Sequence, residues 1–454
     1  MKLAHSLALL GLVCAAAPAS AQTGLTIYND GRVLIRRTVP VTLAAGLTDV
    51  RFLPGAMDPS SLVSLDPDVT VVQSRYDAAI DERSVLRRAV GRTLSFDIGG
   101  GKTTTAVLLG TDPERWRSAD GYVSFSRPGV LRVPEELVTA EPQLELQLRS
   151  AKARSGVGLG WFTDGTSWSA AYSVLLRKNG TARVEGAAVI INTALRADSA
   201  EIQLVAGSPG RGTSPSAKNM MAMRAVEMVA AAPSGDMAGA GERLGDLRVY
   251  ALPGRWTLRP ALTSTIALFE PFAAKIEKTY EVGGVVPYWG PLLPRGDESD
   301  EEVSVKYTLA RPAGTEFGDR GIPGGIVRVY DADTQGRLQL VGEANVEHLP
   351  AGKAMELGTG TAFDLRARRI QTNYVSRPTV PRQKSGATAS YSVTLTNGGD
   401  EAVVIDVIES RGGEWSVSQS SVPAEKRSST TTRFRVPVPA KGEVVLTYTV
   451  QLFW

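Results

Sequence analysis

Reactive side chains are scarce in this sequence, which holds one Cys and two His in 454 residues. Thiol nucleophiles, cysteine metal sites and multi-histidine zinc sites all draw on those residue types and have almost nothing to draw on here. An excess of one charge is also lacking. Fifty Lys and Arg against 47 Asp and Glu leave a formal charge of +3, too little for the clustered cation that marks a nucleic-acid partner. Aromatic residues make up only 6 %. No apolar run reaches the roughly 20 residues that a membrane-spanning helix needs.

The scarcity deepens at the N-terminus. Lys2, the apolar stretch 7–13 and Ala19-Ser20-Ala21 stand in the order of a secretory signal, with cleavage expected between Ala21 and Gln22. Cleavage removes His5 and Cys14 and leaves His348 as the one imidazole. The sequence therefore predicts a protein exported to the periplasm or cell envelope, stabilised by core packing without disulfides. It predicts no catalytic residue, no cofactor and no metal.

What the chain does have is period-two alternation, with 46 Gly and 26 Pro as punctuation. Leu25 and Ile27, the turn Asn29-Asp30-Gly31 and then Val33-Leu34-Ile35 read as a β-hairpin, because that turn tolerates positive φ. Leu144, Leu146 and Leu148 alternate with polar residues, as in a half-buried strand. Asn179-Gly180 marks a second hairpin. The expected fold is all-β and multi-domain, of sandwich or barrel type. A signal at 1–21 precedes an N-terminal β region at 22–140, in which 86–131 is read as a small SH3-like barrel. A central β domain follows at 141–376, and an immunoglobulin-like sandwich at 377–454. The boundary at 377 rests on Arg377-Pro378-Thr379-Val380-Pro381, since two prolines in four residues disfavour helix and central strand. A Met-rich insertion at 207–245 holds five of the eight methionines and is read as a flexible loop that is disordered or forms a short helix over 217–232.

Four motifs have a chemical reading and a plainer one. Gly99-Gly100-Gly101-Lys102-Thr103 looks like the end of a phosphate loop, but Phe96 stands where the first glycine belongs, so a hairpin turn is expected. Asp331-Ala332-Asp333 opens like a calcium loop, yet its twelfth position is Gly342 where a Glu should close the site, and a polar turn is again expected. The acidic run 297–302 reads as a solvated loop face, because unneutralised carboxylates repel one another. His348 has no partner constellation and reads as structural. Alternation over Leu446, Tyr448, Val450, Leu452 and Trp454 raises an outer-membrane barrel as an alternative, against which stand the few aromatics and many prolines.

Several segments together resemble a known family. They are Leu25 to Gly31, Trp161 with Asp164 to Tyr172, 203–207, Pro323-Gly324-Gly325, Gly342-Glu343, His348-Leu349-Pro350, Ala362-Phe363-Asp364 and 434–450. The set resembles the exported bacterial family called domain of unknown function 4139, which includes mucoidy inhibitor-like proteins. The resemblance implies a β-rich exported protein without established activity. It supplies no catalytic residues, and no coiled-coil region of the longer relatives is visible here. Trp161, Trp168 and Tyr172 in the matched segments are candidates for a ligand-stacking platform, set against the packing role that aromatics more often have.

The function expected from all this is a non-catalytic binding or scaffolding module of the cell envelope, its partner an envelope protein or a glycan. A carboxylate-based glycan hydrolase is the enzymatic alternative, because that chemistry needs neither Cys nor His.

Overall fold

The computed structural model describes residues 23–207, 209, 242–285, 298–377 and 384–453. The cleavage site at Ala21 and Gln22, most of the insertion at 207–245 and the prolines at 378 and 381 lie outside these residues. The chain is all-β with several sheets. Its described residues fall into two compact units, one drawn from Met1–Trp168, Ile190–Asp236 and Arg243–Thr263, the other from Ser169–Val189, Met237–Glu242 and Ser264–Trp454.

The first unit begins with the expected hairpin. Strands Thr23–Tyr28 and Arg32–Val39 pair antiparallel, and Gly31 at φ +90° makes the turn, a conformation a side chain would strain. Thr23–Tyr28 also pairs in parallel with Ala197–Ala206, and Arg32–Val39 pairs with Val157–Asp164. Strand Glu242–Leu244, within the expected insertion, forms the edge of this sheet beside Leu247–Ala251.

The region expected to be a small barrel is an open five-stranded sheet in the spatial order Val130–Arg132, Thr93–Asp97, Thr103–Thr111, Glu114–Ser118, Val123–Ser124. No pairing joins its two edge strands. Residues 86–89, taken as its start, instead end helix Glu82–Ala89, whose N-cap Asp81 accepts from the Ser84 amide at 2.9 Å. The helix lays Val85, Leu86 and Ala89 over Leu94, Phe96, Leu108 and Trp116, each large side chain contributing roughly 1.5–3 kcal/mol on burial. A third sheet sets Gln143–Ser150 between Gly46–Phe52 and Val69–Asp77. Leu144, Leu146 and Leu148 form its buried face, as their alternation predicts.

In the second unit a long sheet runs through Thr166–Arg177, Thr181–Asn192, Leu262–Val285, Glu298–Leu309, Met355–Arg377, Gly386–Asn397, Gly442–Phe453 and Glu414–Ser420. Strands Val403–Ser410 and Thr431–Val438 form a second layer, with Val403–Ser410 parallel to the end of Leu262–Val285. The layers enclose Val393, Leu395, Ile405, Val407, Phe434 and Leu446. Leu365–Arg377 pairs with Gly386–Asn397, so strand pairing runs across the boundary expected at 377. The alternating terminal strand buries Leu446, Tyr448 and Val450 at 0–2 % exposure, so its apolar side is a protein core and not a lipid-facing band.

The acidic run needs correction. Glu298 to Glu302 begin strand Glu298–Leu309, and the register sets Asp300 opposite Arg368 and Glu302 opposite Arg366. The basic run on the neighbouring strand supplies the neutralisation that the isolated segment lacks.

Candidate functional site

The three aromatic candidates do not form a platform. Trp161, Trp168 and Tyr172 are 0–2 % exposed and offer no face to a ligand. Trp161 packs on Phe52 with ring centroids 5.8 Å apart. The Trp168 indole donates to the Val205 carbonyl at 3.1 Å, and the Tyr172 hydroxyl to the Pro323 carbonyl at 2.8 Å. Large rings with one polar atom are held inside wherever a carbonyl can take that atom.

The remaining motifs are turns or structural contacts. Gly99, Gly100 and Gly101 all have positive φ and link strands Thr93–Asp97 and Thr103–Thr111. Asp333 accepts from the Gln335 and Arg337 amides at 2.9 Å each, closing a hairpin. Among the described residues no group of three or more His, Cys, Asp or Glu could hold a metal ion. His348 Nδ1 accepts from the Gly324 amide at 2.9 Å, which ties one loop to another.

Two polar constellations escape the sequence reading. The first lies inside the sandwich. Arg369, Glu409 and Arg411 are 4 %, 0 % and 4 % exposed, at positions where alternation points the side chain inward. Arg369 holds Glu301 with two hydrogen bonds at 2.5 and 3.1 Å and also reaches Glu409 and the Tyr448 hydroxyl. Tyr448 donates to Glu409 at 2.6 Å. Arg411 lies 3.5 Å from the other Glu409 oxygen and over the Tyr391 and Trp415 rings. Burial, reinforced by the Glu409 carboxylate, pushes the Tyr448 phenol well above its usual range. Two arginines balance the buried Glu409 and the part-exposed Glu301, and Arg369 and Glu409 come from opposite layers. The cluster joins side chains of the two layers inside the sandwich and is closed to solvent at Glu409.

The second constellation is open to solvent. On the outer face of the three-stranded sheet the register produces two rows of three: Arg51, Glu145 and Arg75 side by side, and Asp49, Gln147 and Gln73 beside them. These six residues line a concavity of about 420 Å³, within the size range of small-ligand sites. Glu145 is ion-paired with Arg51, and Gln147 donates to Asp49 at 3.3 Å. Arg75 and Gln73 are exposed and make no hydrogen bond or ion pair among the described residues. The arrangement offers one unengaged guanidinium and one unengaged amide beside two internally satisfied pairs.

Three other carboxylates are held in ion pairs with arginines. Hydrogen bonds from Arg88, Arg127 and Arg433 hold Asp77, Glu114 and Glu425 below the usual carboxylate range, whereas a glycosidase acid needs a raised value. Arg127 bridges Glu114 and Glu82, with a consequence for acid stability. A carboxylate with a lowered folded-state pKa contributes stability above its unfolded value, about 4.3 for Glu, and loses it as pH falls through the folded value. Arg127→Met is therefore expected to destabilise the protein at pH 7 more than at pH 3. Urea unfolding at both pH values checks this, and an equal loss at both would contradict it.

No family model matches the chain, and no curated protein matches it either. Among the described residues no helix is long and apolar enough to cross a membrane.

Proposed function

We propose that the chain is an exported, non-catalytic binding module of the bacterial cell envelope and that its contact surface is the polar outer face of the three-stranded sheet. The observation that carries this reading is the pair Arg75 and Gln73, exposed and unengaged on the floor of a concavity. A protein surface rich in hydrogen-bonding groups satisfies them internally or with water, and side chains uncommitted within the protein are the ones a polar ligand can engage. The strands beneath are rigid, because Leu144, Leu146 and Leu148 anchor the opposite face in the core, so the array is organised before the ligand arrives.

The signal-like segment ending at Ala21 supports export, and the segments named above support a likeness to the domain of unknown function 4139 family. The two-layer sandwich, with Val403–Ser410 pairing in parallel with Leu262–Val285, supports an immunoglobulin-like reading of the C-terminal region that begins earlier than 377. A glycan is favoured over a protein partner here, since planar amides and guanidinium suit hydroxyls and no apolar anchor site lines the array.

Sedimentation with insoluble envelope polysaccharide tests the reading. The unaltered chain is expected to pellet and the Gln73→Ala/Arg75→Ala chain to stay in the supernatant. Equal pelleting of the two would contradict it.

A further inference from the structure

We infer that this face selects a carboxylate-bearing oligosaccharide over its neutral counterpart, with Arg75 as the residue that reads the acid. The inference rests on the reading of the face as a glycan contact surface and adds the chemical class of the sugar.

Of the four charged side chains in the array, Glu145 stands opposite both arginines but is ion-paired with Arg51, and Asp49 accepts from Gln147 and keeps its charge. Asp49 and Arg75 occupy opposite corners, in different rows and on the two outer strands. Outer strands lie about two strand spacings apart, roughly 10 Å, so Asp49 does not neutralise Arg75. The guanidinium is planar, permanently charged and matched to a carboxylate through two parallel N–H···O bonds. Gln73 lies two residues away on the same strand and the same face, roughly 7 Å along it. Its amide gives a donor and an acceptor, the combination that a hydroxyl requires.

The alternatives fit less well. A single-stranded nucleic acid finds no aromatic side chain in the lining on which to stack a base. An extended peptide commonly adds to a free sheet edge, whereas the centre of this array is Gln143–Ser150, whose backbone pairs on both sides. No aromatic ring lines the concavity, so affinity comes from hydrogen bonds and charge instead of stacking. Binding through an exposed charge is screened by salt.

Titration calorimetry on the chain beginning at Gln22 tests the inference with tetramers of galacturonic and glucuronic acid, tetramers of galactose and glucose, and hexaglutamate. An acidic tetramer is expected to bind at least about tenfold more tightly than its neutral counterpart, as one charge-assisted bidentate contact allows. Arg75→Gln should remove that preference, and raising salt to about 0.5 M should reduce it. Equal affinity for acidic and neutral sugars would overturn the inference while leaving the glycan reading in place. Binding of neither sugar would overturn both. Hexaglutamate binding as tightly as the acidic sugars would show recognition of bare charge and overturn the assignment to sugars. Because Arg75 is exposed and unengaged, the Arg75→Gln chain should melt with the parent, and a melting scan separates loss of preference from loss of fold.

Discussion

Arg369→Met is expected to lower the stability of the second unit by about 3–5 kcal/mol, the range for removing one partner of a buried ion pair. Met keeps an unbranched apolar stem, so the effect comes from the lost charge and its hydrogen bonds. In the parent, Glu409 at 0 % exposure is held by Arg369, by the Tyr448 hydroxyl and by Arg411 at 3.5 Å. Removing Arg369 leaves that carboxylate with one neutral donor and one distant cation. Glu301 has 16 % side-chain exposure and can turn to water, so the cost concentrates on Glu409. Replacing the whole interior set, Arg369→Met/Glu409→Leu/Arg411→Met, should recover much of the loss, because apolar side chains of similar size often replace a buried ion cluster without net cost. Equilibrium urea unfolding measures both variants. A loss below about 1 kcal/mol for Arg369→Met, the level of an exposed pair, would contradict burial of the cluster.

Trp161→Ala should cost the first unit a similar amount, about 3–5 kcal/mol, as expected for deleting a buried tryptophan. Trp161 is fully buried against Phe52. Its indole nitrogen has no hydrogen-bond partner among the described residues, so Trp161→Phe surrenders ring area alone and should cost distinctly less. Ligand affinity of the Phe variant should equal that of the parent, because the ring does not line the polar face. Reduced affinity without reduced stability in Trp161→Phe would restore the stacking-platform reading that burial removes.

The strands were legible in the sequence where alternation was clean. Leu144 to Leu148, the hairpin around Gly31 and the terminal run Leu446 to Val450 follow directly from period two, because each has one buried face. Other elements depended on information that a local window does not hold. The acidic run became a strand because Arg366, Arg368 and Arg369, far along the chain, lie beside it. Helix Glu82–Ala89 carried its own signal, Asp81 as cap with Val85, Leu86 and Ala89 at helical spacing, and the surrounding β pattern masked it.

The buried cluster was also present as pattern. Leu365, Ala367, Arg369 and Gln371 share one phase, as do Ile405, Val407, Glu409 and Arg411. A charge appearing in the inward phase of two strands is a signal for an interior ion pair. The polar face was harder to find, since Gln73 and Arg75 become neighbours of Glu145 and Gln147 only through strand pairing. No single segment contains the array.

The central claim is that contact with the envelope passes through this array. Fractionation of cells that express either the parent chain or Arg75→Glu tests it most directly, provided both purified chains melt at the same temperature. The account predicts that the parent follows the envelope fraction and that Arg75→Glu moves to the soluble fraction. Retention of Arg75→Glu in the envelope fraction at the parent level would contradict it.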